Sequence, residues 1–117
     1  MATLANQGVA SQASFGQLGS GFVDSGAAYV APSGSVVVAI TCLADTTFSV
    51  LTSEDGTKYF GVGGVGAGTN SEAVVVGNVF PQGITIYGKW THVTATADTV
   101  AGVILYLGPS NSPNQTA

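Results

Sequence analysis

Ser35-Val36-Val37-Val38-Ala39-Ile40-Thr41-Cys42-Leu43 is the stretch that decides the fold class. Its β-branched residues pack well on a pleated surface and lose side-chain freedom in a helix. Both faces are apolar, which predicts a strand buried on both sides or one with a face against another subunit. Just before it, Ala31-Pro32-Ser33-Gly34 places proline second and glycine fourth, as in a type I turn, and Ala27–Ala31 is a short β-type run. Just after it, Thr46–Leu51 alternates, with Phe48 and Val50 expected on one face. Ser53-Glu54-Asp55-Gly56-Thr57 then carries an Asp-Gly pair that tolerates positive φ. Lys58-Tyr59-Phe60 reads as the returning strand of a hairpin.

The same pattern continues outward. Gly61–Asn70 is a glycine-rich loop, and Glu72–Gly77, with its Ala73-Val74-Val75-Val76 run, predicts another strand. Phe80-Pro81-Gln82-Gly83 repeats the proline turn, and Ile84–His92 follows at once. In that strand Ile84, Ile86 and Trp90 are expected on one face, with Thr85, Tyr87 and Lys89 opposite. Val100–Leu107 is the last strand, and no stretch shows an apolar period of 3.6 residues.

The expectation is an all-β fold: an antiparallel β-sandwich of jelly-roll type over residues 21–108. Residues 1–20 read as an extended N-terminal arm that contacts partners, and residues 109–117 as a C-terminal tail. Val36, Val38, Ile40, Ile84, Ile86, Trp90, Val103 and Leu105 are the expected core.

Composition then narrows the function. A chain of 117 residues suits one domain, and its hydrophobic content of 45% argues against disorder. Charged residues make up 7%, against about 25% in ordinary soluble domains. Ser, Thr, Asn, Gln and Gly must therefore cover the exterior, and such a surface meets neighbours with little desolvation cost. With a net charge of −4 and only two basic residues, the chain lacks the positive footprint that phosphates or anionic membranes require. Its apolar runs are far shorter than the ~20 residues of a membrane span. Cys42 is the single cysteine, so no intrachain disulfide forms, which is consistent with assembly in a reducing cytoplasm. The opening residues MATLANQGVASQASF show no basic segment followed by an apolar run, so no secretory signal is expected.

No catalytic, cofactor-binding or metal-ligating residue is assigned. The acidic residues Asp24, Asp45, Glu54, Asp55, Glu72 and Asp98 lie in turns or beside strands, with no paired-carboxylate spacing. His92 is the one histidine, and no Ser-His-Asp order or zinc-ligand spacing accompanies it. Gly61-Val62-Gly63-Gly64-Val65-Gly66 matches GxGxxG, but Ala67-Gly68-Thr69-Asn70 does not open the helix a dinucleotide site needs. A flexible connection or a close backbone approach at an interface explains these glycines better. Trp90, Tyr87 and Tyr59 are the residues available for an aromatic platform under a sugar ring.

The segment Phe80–Gly108 resembles small virion structural proteins of tailed bacteriophages, particularly those of marine bacteria. The resemblance rests on Pro81-Gln82-Gly83-Ile84-Thr85-Ile86-Tyr87-Gly88-Lys89-Trp90 and the closing Ile104-Leu105-Tyr106-Leu107-Gly108, about a quarter of the chain. It implies a non-enzymatic virion protein, a capsid decoration or cement protein. Such a protein would be homo-oligomeric and would contact the major capsid protein or other virion proteins. The alternative is a tail or head-surface module that binds host glycans. A small hydrolase built on His92 and a carboxylate is a third reading.

Overall fold

In the computed structural model, residues 18–97 and 102–110 are described. The rest of the expected arm, residues 1–17, and tail residues 111–117 lie outside them. Six strands and no helix form among the described residues: β1 Ser20–Val23, β2 Ala28–Val30, β3 Ser35–Cys42, β4 Thr46–Ser53, β5 Thr85–Ala97 and β6 Val103–Pro109. The fold is all-β, as expected. Ser20, given to the arm, opens β1, and Pro109, given to the tail, closes β6.

Every pairing is antiparallel and all six strands belong to one sheet. His92, Val93 and Thr94 each have a partner in β2 and another in β4, so those strands flank opposite edges of β5. Trp90 pairs with Val37 of β3 and Ser53 of β4, which puts β3 on the same edge as β2. The long β5 thus carries β2 and β3 end to end along one side. From β3 the sheet continues through β6 to β1. It curls into a half-barrel, where the sequence suggested two facing sheets.

Bulges produce the curl. The register shifts between Val37 and Ala39 against both neighbours of β3, and again between Phe48 and Val50 and between Thr52 and Ser53 where β4 meets β5. An extra residue bends a strand, increases its twist and exchanges its faces. The bulge at Ser49 therefore buries Phe48 while leaving Val50 at the surface, so the two do not share a face. Beyond the bulge at Val38, Ile40 and Cys42 point into the core and Ala39 and Thr41 point away.

The core consists of Val23, Val37, Ile40, Cys42, Phe48, Leu51, Trp90, Val93, Ala95, Val103, Leu105 and Leu107. Of the residues expected there, Ile40, Trp90, Val103 and Leu105 belong to this cluster, and Ile86 packs against it. Val36 is fully buried outside it, Val38 is half-buried, and Ile84 stands exposed just before β5. Ile84 is displaced because it closes a turn: its N–H donates to the Pro81 carbonyl, with Gly83 at φ 87°. Pro32-Ser33-Gly34-Ser35 closes in the same way, with Ser35 N–H on the Pro32 carbonyl and Gly34 at φ 85°. Both turns have proline first and a left-handed glycine third, the type II arrangement, and start one residue later than the type I reading placed them.

Residues 54–84 cross the inner, core-bearing face in place of a second sheet. Phe60, Val62 and Phe80 pack from this segment onto the core. The Asp55 turn forms: its carboxylate accepts from Thr57 N–H and Oγ1 at 2.9 and 2.6 Å. The Thr57 hydroxyl, then its amide, hold the Asp55 carboxyl below its ordinary pKa. The expected return strand does not form. Phe60 makes a single bridge, to Val65, and β4 pairs with β5 instead. The edge of β4 facing away from β5 is taken up by Val62 N–H on the Leu51 carbonyl and by a reciprocal bond pair between Thr46 and Phe80. Gly61 sits so close to the Leu51 carbonyl that any Cβ would collide with it. The close backbone approach at this residue is made within the chain, onto β4, and not at an interface.

Candidate functional site

The register lays the sheet out in rows. Gly21, Leu105, Ile40 and Ile86 form one row across β1, β6, β3 and β5, on the inner face. Its neighbours on either side point outward: Ser20, Tyr106, Ala39 and Tyr87 in one row, Phe22, Ile104, Thr41 and Thr85 in the other. The outer face of a solvated sheet is normally polar. Here Tyr87 and Phe22 are each 58% exposed, and no residue in these two rows carries a charge.

The first outward row creates a slot. Ala39 pairs with Tyr106 on one side and Tyr87 on the other, so a one-carbon side chain lies between two phenols. Ala39, Thr41, Thr85, Tyr87 and Tyr106 line an open cleft of about 300 Å³. At one end Thr41 Oγ1 and Thr85 Oγ1 share a hydrogen bond of 2.9 Å.

A second feature lies in the segment that covers the inner face. The expected strand Glu72–Gly77 is absent because its amides bond locally. Val74 N–H donates to the Gly61 carbonyl, Val75 N–H to Asn78 Oδ1, and Asn78 N–H back to the Val75 carbonyl. Val74 is buried by this arrangement, and the turn lifts Val75, Val76 and Val79 to 59%, 64% and 60% exposure. Three valines on one short turn form an apolar projection that is largely uncovered among the described residues.

The residues weighed for chemistry are dispersed. Trp90 cannot serve as a sugar platform: it is fully buried, donates Nε1–H to the Phe60 carbonyl at 2.8 Å and meets the Phe60 ring edge-on at 5.5 Å. Tyr59 belongs to the Asp55 turn, and only Tyr87 of the three reaches the outer slot. His92 is exposed, with Nδ1 2.8 Å from Thr91 Oγ1 and the uncharged Val30 and Thr52 as cross-strand partners. Asp45 accepts from Gln82 N–H, and Glu54 accepts from Ser110 Oγ. Asp98 lies outside the described residues, and among those described no three acidic, histidine or cysteine groups gather as a metal set. The glycine run is followed by no helix.

Sequence reasoning missed the slot because its five residues come from three strands, and only register joins them. Comparison with family models, with curated proteins and with solved structures yields no match. The reading of function therefore rests on the residues themselves.

Proposed function

We propose that this chain is a structural protein of a bacteriophage virion, a decoration or cement protein that stabilises the capsid through contacts between subunits. The observation that carries this reading is the apolar turn Val75–Val79, projecting from an exterior almost without charge. Fully burying a valine is worth about 1.5 kcal/mol, so covering three that are some three-fifths exposed contributes about 3 kcal/mol before association costs. That is a factor of roughly 100 in binding for each copy. With charged residues at 7% of the chain, the exterior adds little desolvation penalty, and a symmetric shell multiplies the gain over many copies.

In this proposal the turn sits on the major capsid protein, on the assembled head in the host cytoplasm. Copies of the chain associate with one another, and a strand or arm from a neighbour set against the half-barrel completes a sandwich or jelly roll in the particle. The chain performs no catalysis. Residues 1–20 contribute to the same contacts, as expected from their composition.

The test is co-sedimentation of purified chain with phage shells from which it has been stripped. Val76→Asp alters an exposed side chain, so circular dichroism should be unchanged. Retention on shells should fall about 100-fold, because a carboxylate would replace apolar area at a dry contact. Undiminished retention of Val76→Asp would remove the valine turn from the interface and this reading with it.

A further inference from the structure

We infer that the slot between Tyr87 and Tyr106 binds one ring of an uncharged saccharide. This inference is independent of the virion reading, since the slot and the valine turn share no residue.

Width comes first. Tyr87 and Tyr106 both pair with Ala39, so they stand two strand spacings apart, about 10 Å. Ala39 between them is 2% exposed, so the phenols close over it and the cleft above is shallow. A cleft of that span receives one saturated ring and is no wider than a helix, whose diameter is about 10–12 Å. The volume of about 300 Å³ falls at the lower end of small-ligand sites, as expected for one or two sugar units.

Chemistry comes second. A pyranose has an apolar face of C–H groups and a rim of hydroxyls that both donate and accept. Tyrosine offers an apolar ring with a polar tip. The paired threonine hydroxyls of Thr41 and Thr85 use one proton in their mutual bond. The second proton and the remaining lone pairs are available to a hydroxylated ligand. None of the five lining residues is charged. An acidic sugar would find no cation there to pair its carboxylate, on a chain of net charge −4, so the slot favours neutral rings.

The floor and walls are also held in place. Ala39 is buried beneath the two tyrosines, and Thr41 and Thr85 are fixed to each other across β3 and β5. Little has to be ordered when a ring enters, which matters for a ligand with so few atoms.

The experiment is an amide NMR titration of the full chain with the methyl glycosides of glucose, galactose, mannose and N-acetylgalactosamine. N-acetylneuraminic acid is the anionic control. At least one neutral glycoside should move the amides of Ala39, Thr41, Thr85, Tyr87 and Tyr106 with a Kd of about millimolar, as a single ring permits. Tyr87→Ala should weaken that binding about tenfold or more with the rest of the spectrum intact. If Tyr87→Ala perturbs the fold, Tyr87→Leu keeps the apolar bulk, removes the flat ring, and should show the same weakening. Absence of shifts in these amides with every neutral glycoside, equal binding of the anionic sugar, or unchanged affinity in the folded Tyr87 variant would each overturn the assignment.

Discussion

Trp90→Phe is the perturbation whose consequence the structure defines most closely. The indole is fully buried, and its N–H donates to the Phe60 carbonyl at 2.8 Å. Its ring also anchors Phe60 edge-on at 5.5 Å, tying residues 54–84 to the sheet. Phenylalanine keeps an aromatic ring but removes the donor, and the Phe60 carbonyl then loses its partner at a cost of about 1–3 kcal/mol. About 40 Å³ of side chain also disappears, and at about 24 cal/mol per Å³ that adds roughly 1 kcal/mol. The sum is about 3 kcal/mol. For a domain of this size it lowers Tm by roughly 10–20 °C. Thermal and urea unfolding followed by circular dichroism would measure it. Since Trp90 is the single tryptophan, its fluorescence should be blue-shifted in the parent protein, which independently checks its burial. A Trp90→Phe protein within 0.5 kcal/mol of the parent would refute the claim that this residue pins the covering segment to the core.

Three further outcomes follow from local geometry. Gly61→Ala should cost about 2–4 kcal/mol by urea unfolding, because its Cβ strikes the backbone of Leu51 and displaces the Val62–Leu51 hydrogen bond. Gly77→Ala, with open space around the added carbon, should be neutral in the same assay. Cys42 is buried, and burial raises its thiol pKa despite the Thr46 hydroxyl pulling the other way. A folded pKa above the unfolded one means this contribution to stability is complete below the unfolded thiol pKa and is lost as pH rises through the folded value. Thiol labelling should accordingly be slow in the native protein and rapid in urea, and unfolding should become easier above about pH 9.

All the strands except β1 were legible because β-branched runs and Pro-x-Gly turns act locally. Val36–Thr41, Thr46–Leu51, Thr85–Trp90 and Val103–Leu107 all lie in strands. The facing of side chains was not legible. Strand alternation has a period of two, so each bulge, at Val38, at Ser49 and in β5 beside Ser53, reverses the assignment downstream. Phe48 and Val50 were parted in this way, and Leu51 and Val93 joined the core unforeseen. The valine run near Val75 has strand composition, but the Asn78 side chain and the Gly61 carbonyl take its amides. Asp55-Gly56 bends the chain as such a pair should, yet the partner of β4 lies far along the sequence in β5. The slot was illegible for the same reason: Ala39, Tyr87 and Tyr106 meet only through non-local pairing. Tyr87 carried the one available signal, as an aromatic on the face opposite Ile86.

The most direct test of the account is a cryo-electron microscopy map of phage particles in which the proposal places this chain. The expected map shows many copies seated on the outer shell, with the Val75–Val79 turn pressed against a capsid subunit and the Tyr87–Tyr106 slot open to solvent. Particles without the chain, or copies whose valine turn faces solvent, would contradict it.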